Sequence, residues 1–90
     1  AANIAHIVYW ETDTLKYVRS HDLLGTFVSG AGATVTDGSQ GTTIVSVTTE
    51  QQASIVLHST SNIYVSYVDD SGNIQHQKST NMGRTWSLVT

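Results

Sequence analysis

The chain has 90 residues, a formal net charge of −3, and neither cysteine nor proline. That length fits one small domain with a single core, and without cysteine no disulfide or thiolate ligand can form. The four Lys and Arg residues are scattered, which argues against a nucleic-acid partner. No apolar run approaches the roughly 20 residues of a membrane helix, so we expect no membrane insertion.

The polarity of the chain comes mainly from serine and threonine, since only 12% of the residues are charged. This balance is common in extracellular and surface β-proteins, and it predicts a secreted protein with an extracellular or cell-surface location. The chain begins at Ala1 without methionine. Either a leader has been removed, or the chain is a piece of something longer.

The beginning of the chain predicts a β-hairpin. Residues 4–10 mix β-branched and aromatic side chains, a polar connection follows at 11–14, and residues 15–20 supply the second arm. Because strand residues alternate between faces, Leu15 and Tyr17 would share one face of that arm.

The middle of the chain predicts a strand fragment between two loops, followed by two strands. Residues 28–41 are rich in glycine, serine, threonine and aspartate, as loops are. Residues 42–49 alternate so that at least one face is buried. Residues 53–59 contain the apolar run 55–57, which predicts an interior strand with both faces covered.

A second hairpin is predicted near the C-terminus. Its arms are 62–68 and 74–78, and the turn 69–73 holds Asp, Gly and Asn residues that tolerate the required backbone conformations. No window shows a sustained helical period after a cap, so helix is limited to one turn at 51–53. The prediction is an all-β chain of seven or eight strands.

The stretch after this hairpin is the most distinctive part of the chain. Ser79 and Asn81 can bond neighbouring backbone groups, and Gly83 can take the positive φ that closes a turn. Thr85 and Trp86 suit the start of a strand, with the indole anchored between turn and sheet. The pattern resembles the Asp-box, or BNR repeat, of sialidase-like β-propellers, written Ser-x-Asp-x-Gly-x-Thr-Trp, with Asn81 in place of the family's Asp.

A looser copy of the motif keeps Ser20, Asp22 and Phe27 at the same spacing, although its glycine is displaced by one position. Aligning Ser20 with Ser79 gives an internal repeat of about 58 to 59 residues, a period that suits one propeller blade. We therefore expect one all-β unit over 1–90 with repeat-like halves at 4–29 and 53–90. With one residue inserted in the hairpin turn, the alignment pairs His6 with Tyr64, Ile7 with Val65, Tyr9 with Tyr67, Leu15 with Ile74 and Arg19 with Lys78.

The resemblance implies about one and a half to two antiparallel four-stranded blades of a sialidase-like β-propeller. A small β-sandwich is the alternative, since several short strands in 90 residues also suit that architecture. A propeller fragment would leave exposed sheet edges. Neighbours are therefore expected, either other copies of the chain closing a ring or the rest of a longer polypeptide.

The motif residues are expected to be structural, because in sialidase-like proteins the Asp-box lies on the blade periphery, away from the catalytic centre. These residues are Ser20, Asp22, Phe27, Ser79, Asn81, Gly83, Thr85 and Trp86. The family's enzymes use an arginine triad, a tyrosine nucleophile assisted by glutamate, and an aspartate acid/base. This chain has only Arg19 and Arg84, so it cannot assemble the set alone, and the pairs Tyr9 with Glu11 or Tyr67 with Asp69 are the only ones to consider.

Aromatic and polar side chains at equivalent ends of the two hairpins are candidates for sugar binding, because pyranose rings stack on aromatic faces. They are Tyr9, Trp10, Glu11, Arg19 and Tyr67; the alternative is that Trp10 and the tyrosines pack between blades. The four histidines lack metal-ligand spacing, and the turn 69–73 lacks the further ligands of a calcium loop. We expect no metal site and no cofactor.

These features predict a non-catalytic binding or structural module of Asp-box propeller type, with carbohydrate as the leading ligand. One alternative is a fragment of a sialidase-like glycoside hydrolase whose catalytic residues lie elsewhere. The other is an assembly scaffold that joins copies through its sheet edges.

Overall fold

The computed structural model describes residues 4–20, 26–59 and 61–90 and confirms the all-β prediction. Eight strands, within these ranges, form two antiparallel four-stranded sheets. Strands β1 to β4 form the N-terminal sheet and β5 to β8 the C-terminal sheet. The strands are β1 His6–Trp10, β2 Thr14–Ser20, β3 Phe27–Val28, β4 Thr42–Ser46, β5 Ala53–Leu57, β6 Ile63–Val68, β7 Ile74–Ser79 and β8 Ser87–Leu88.

The N-terminal sheet is built on the predicted hairpin of β1 and β2. The far edge of β2 pairs with β3 at one end and with β4 at the other. Strands β3 and β4 therefore follow one another along the same edge, and residues 29–41 leave the sheet between them as an excursion. A 3₁₀ turn at Gly38–Gln40, capped by the side chain of Asp37, shapes this excursion.

The C-terminal sheet runs β5-β6-β7-β8 in chain order. The predicted hairpin of β6 and β7 is present, and its turn closes with the backbone N–H of Asp69 donating to the carbonyl of Asn73 at 2.9 Å. Gly72 supplies the positive φ, 83°, that the turn needs.

The core lies between the two sheets. Leu15 and Tyr17 of the N-terminal sheet are fully buried in one cluster with Ile63, Val65 and Tyr67 of the C-terminal sheet. Burial of apolar side chains on both sides is the main stabilising contribution to this packing. We call this packed region the sheet junction.

Strand pairing has the same register in both halves. His6 pairs with Arg19 as Tyr64 pairs with Lys78, and Trp10 pairs with Leu15 as Val68 pairs with Ile74. The short strands follow the same rule, since Arg19 pairs with Val28 and Lys78 with Ser87. The halves differ at two edges among the described strands: β5 pairs with β6 where none pairs with β1, and β4 pairs with β2 where none pairs with the equivalent part of β7.

The two sheets stack with equivalent faces pointing the same way. Leu15 and Tyr17 lie in the sheet junction, whereas the aligned residues Ile74 and His76 lie on the opposite, exposed face of the C-terminal sheet. The sheets are thus arranged head to tail. A twofold relation would instead bring equivalent faces together.

Two local predictions are wrong. The run 55–57 is not doubly covered: β5 is an edge strand, and Val56 is 60% exposed because it lies on the outer face of the C-terminal sheet, opposite the junction. The suggested helical turn at 51–53 is absent, and the 3₁₀ turn forms instead at Gly38–Gln40, where Asp37 and Gln40 make a capping box.

Candidate functional site

The distinctive turn at 79–86 is held by its own side chains. The Ser79 hydroxyl accepts the Gly83 N–H at 2.8 Å and donates to Asn81 Oδ1 at 2.9 Å. Asn81 Oδ1 also accepts the Thr85 N–H at 3.0 Å, and its Nδ2 donates to Thr85 Oγ1 at 2.8 Å. Trp86 Nε1 donates to the Gly83 carbonyl at 3.0 Å. Five polar positions of the motif are therefore satisfied within the turn itself.

The turn packs against the N-terminal sheet through the ring of Tyr17. This ring lies edge-on to Trp86, with 5.4 Å between ring centroids. It also lies directly on Gly83, where a Cβ atom would come 2.1 Å from Tyr17 Cε2. A glycine is thus required at 83 both by its φ of 85° and by the aromatic ring above it.

Arg19 joins the excursion to the turn across the sheet junction. Its Nη1 donates to the carbonyls of Ser29, Gly30 and Met82 at 3.1, 2.9 and 3.1 Å. Gly30 itself approaches so closely that a Cβ atom there would lie 1.9 Å from the Gly83 carbonyl oxygen. Sequence reasoning missed the roles of Tyr17 and Gly30; the glycine-rich composition of 29–32 was the available signal for a close backbone approach.

The earlier motif copy is organised differently. Ser20 is buried, and its hydroxyl accepts the N–H of Ala5, the residue that precedes β1, at 2.8 Å. Phe27 begins β3 and is half-buried. Asp22 lies outside the described residues, so the bracing of this copy is not comparable with that of Asn81.

The five residues predicted to bind sugar lie in different environments. Trp10 packs against the core and its indole donates to the Gln51 carbonyl, and Tyr67 is buried in the sheet junction. Arg19 is engaged with the three carbonyls described above. Tyr9 lies on the opposite face of β1 from Trp10, and Glu11 follows at the end of that strand. These side chains do not form one surface.

An open cavity of about 250 Å³ lies on the outer face of the N-terminal sheet. Ile7, Tyr9, Val18 and Phe27 line it from the sheet, and residues 35–38 line it from the excursion. The Tyr9 hydroxyl donates to the Gly38 carbonyl at 2.6 Å, and burial raises the pKa of this phenol. Tyr9 is therefore fixed as a neutral hydrogen-bond donor on a mainly apolar surface.

A second cavity, of about 290 Å³, lies beside the sheet junction. Polar lining comes from Asp69, Asp70, Ser71 and Gln75, next to the ring of Tyr67. Asp69 accepts the N–H groups of Ser71 and Asn73 and the Gln75 amide, and these hydrogen bonds lower its pKa. The carboxylate stays ionised and fixed in position at neutral pH.

Asp70 ties this cavity to the end of the N-terminal sheet. Its Oδ1 accepts the backbone N–H and the hydroxyl of both Thr48 and Thr49, at 2.8 to 3.2 Å. The Thr48 hydroxyl and the Thr49 N–H are the main causes that lower the Asp70 pKa. Each acidic side chain of the cavity thus has defined partners within the fold.

The tyrosine and carboxylate pairs considered for catalysis are not hydrogen-bonded to each other. Tyr9 donates to Gly38, and the Tyr67 hydroxyl accepts from Gln77 Nε2 at 3.3 Å. Glu11 accepts from the Thr12 hydroxyl. Among the residues that the structure describes, no group of three or more His, Cys, Asp or Glu side chains is placed to hold a metal ion.

The chain matches no protein-family model, no curated protein and no solved structure. The resemblance to the Asp-box therefore stands on its residues alone. In the described ranges, none of the helical segments has the length and apolar character required to cross a bilayer.

Proposed function

We propose that this chain is a non-catalytic structural and binding module of the Asp-box propeller type, with its two sheets as successive blades. The observation that carries the proposal is the head-to-tail stacking of two sheets with the same strand register. Blades of a propeller repeat by rotation about a central channel, so the same face of each blade points toward the next. A sandwich with a twofold relation would place equivalent faces against each other.

The position of the braced turn supports a structural role for the motif. Gly83, Trp86 and the carbonyl of Met82 all contact the neighbouring sheet through Tyr17 and Arg19. The turn therefore contributes to the packing of one sheet on the other, and no polar group of its bracing network is needed for a ligand.

Carbohydrate is the ligand class proposed for the cavity beside the sheet junction. Sugar hydroxyls suit planar carboxylate and amide groups, which Asp69 and Gln75 provide there next to Tyr67. Its volume, about 290 Å³, lies near the lower end of small-molecule sites. An extracellular or cell-surface location belongs to the same proposal, because exposed glycans occur there.

Glycan-array binding tests this ligand class. We expect the wild-type chain to bind a subset of glycans and Gln75→Ala to lose that binding. Gln51→Ala is the matched control, because Gln51 is exposed and contributes its backbone carbonyl to the fold. Trp10→Ala should instead lower stability, because Trp10 packs on the core.

Two results would contradict the proposal. Equal glycan binding by Gln75→Ala and Gln51→Ala would reject this cavity as the site, and no glycan binding by the folded wild type would reject carbohydrate as the ligand. Hydrolysis of a fluorogenic sialoside by this chain would remove the non-catalytic assignment and favour a sialidase-like hydrolase.

A further inference from the structure

Two sheet faces carry apolar side chains that stay partly exposed, although residues 35–38 of the excursion border the outer face of the N-terminal sheet. The outer face of the N-terminal sheet holds Ile7, 40% exposed, beside Tyr9. The outer face of the C-terminal sheet holds Ile74, 71% exposed, together with Val56 and Tyr64. Apolar side chains exposed on the same sheet face are a feature of contact sites.

The sheet junction within the chain is a template for what fits these faces. Leu15 belongs to the same buried cluster as Val65 and Tyr67. In the shared register Ile74 corresponds to Leu15, while Ile7 and Tyr9 correspond to Val65 and Tyr67. If a further sheet stacked on the C-terminal sheet in the geometry of the sheet junction, Ile74 would contact the residues of that sheet that correspond to Ile7 and Tyr9.

The receiving face has a recess at the required place. The cavity of about 250 Å³ is lined by Ile7, Tyr9, Val18 and Phe27. These side chains offer an apolar surface to an incoming isoleucine, and Tyr9 is already held by Gly38. A preformed recess reduces the ordering cost of association.

The polar pattern of the junction also recurs on the donor face. His6 and Tyr17 are hydrogen-bonded to each other on the junction side of the N-terminal sheet. The corresponding exposed positions hold Tyr64 and His76, the same two residue types in reversed order. The donor face therefore repeats both the apolar and the aromatic positions of a face that is already known to pack.

We propose that the partner of these faces is a second copy of this chain. The outer face of the C-terminal sheet of one copy lies on the outer face of the N-terminal sheet of the next, with Ile74 in the recess around Ile7 and Tyr9. The inference rests on the proposed head-to-tail module and adds its partner. Such heterologous contacts leave one free face at each end until a ring closes. Propellers of about four to eight blades would need about two to four two-sheet chains.

Sedimentation equilibrium over a wide concentration range tests the proposal with two single variants. Ile74→Asp alters the donor face and Ile7→Asp the receiving face; each should weaken self-association at least about tenfold, because a carboxylate would be buried without a partner. Leu88→Asp is the control. Leu88 is 50% exposed, but it pairs with Gln77 and so lies on the junction face of the C-terminal sheet, opposite the donor face. It should associate like the wild type.

Mixing the two variants tests the head-to-tail arrangement itself. The Ile74→Asp chain retains an intact receiving face and the Ile7→Asp chain an intact donor face, so the mixture should form a dimer and stop there. Near-ultraviolet circular dichroism checks folding, and Ile74→Ser and Ile7→Ser replace any Asp variant that does not fold.

Three results would overturn the inference: a folded wild-type chain that stays monomeric, wild-type association by Ile7→Asp, or no dimer in the mixture. A folded monomer would leave the head-to-tail module and its glycan site in place, because both lie within one chain. Loss of glycan binding without loss of association would reject only the proposed ligand.

Discussion

The backbone at Gly83 lies directly against the ring of Tyr17, and this contact ties the turn 79–86 to the neighbouring sheet. Gly83→Ala would place a methyl group 2.1 Å from Tyr17 Cε2 at a φ of 85°. We expect the free energy of unfolding to fall by about 2 to 4 kcal/mol, the sum of backbone strain and overpacking. Urea unfolding followed by tryptophan fluorescence measures the change.

Gly32→Ala is the matched control for this substitution. Gly32 has a φ of 92°, but nothing lies within 4 Å of a Cβ atom built there. Gly32→Ala should therefore lower the free energy of unfolding by the backbone strain alone, about 1 to 2 kcal/mol. Equal losses in the two variants would mean that the Tyr17 ring moves aside, and the contact would then not hold the turn in place.

At the scale of the element, substitution of Asn81 in the turn 79–86 tests whether this residue is equivalent to the aspartate of the Asp-box. Asn81→Asp keeps the oxygen that accepts from Ser79 and Thr85, and the Thr85 hydroxyl can rotate to donate to the second oxygen. We expect stability within about 0.5 kcal/mol of the wild type at neutral pH. Asn81→Ala removes the acceptor and should cost about 1 kcal/mol. If thermal or urea unfolding gives the same loss for both, the amide N–H, and not the acceptor, braces the turn.

Sequence patterns predicted the elements of this fold to different degrees. Both hairpins were predictable, because alternating apolar residues and the turn 69–73 act locally. The apolar run 55–57 was misleading, since residue type does not reveal whether a strand lies at an edge. For residues 28–41 the sequence predicts a strand fragment between two loops, but it does not predict the hydrogen bonds to Arg19, which form only once the N-terminal sheet has folded.

The candidate site was less predictable than the fold. The hairpin alignment groups Tyr9, Trp10 and Tyr67 at similar places in two hairpins, yet strand alternation puts Tyr9 and Trp10 on opposite faces. Tyr67 lies in the sheet junction because the two sheets stack head to tail. The alternation of residues within one sheet does not predict how two sheets stack. Gln75, in contrast, is brought beside Asp69 by the local turn.

The stability of the whole molecule depends on the protonation state of polar residues in the sheet junction. His6 lies at the N-terminal end of β1 and is hydrogen-bonded to the buried Tyr17. Partial burial, and then the charge of Arg19, lower the pKa of His6. Burial raises the pKa of Tyr17 to about 12, so this phenol stays neutral over the range in which histidine titrates.

The lowered pKa of His6 makes the stability of the stacked sheets depend on pH in a defined direction. In the unfolded chain His6 has its ordinary pKa of 6.5, so below that pH the unfolded state binds the proton more readily than the folded state. Stability present above pH 6.5 is therefore lost as the pH falls toward the lowered native pKa, and the loss then levels off. His6→Gln keeps a hydrogen-bond acceptor for Tyr17 but cannot titrate, and its unfolding free energy should change less across this window. Urea unfolding at several pH values above and below 6.5 measures how the unfolding free energy of each protein depends on pH.

The carboxylates of Asp69 and Asp70, whose pKa values are lowered, add a further loss of stability in both proteins only below about pH 4. The effect of His6 can therefore be separated from that of the carboxylates. Equal slopes for His6→Gln and the wild type would show that protonation of His6 does not oppose the stacking of the sheets.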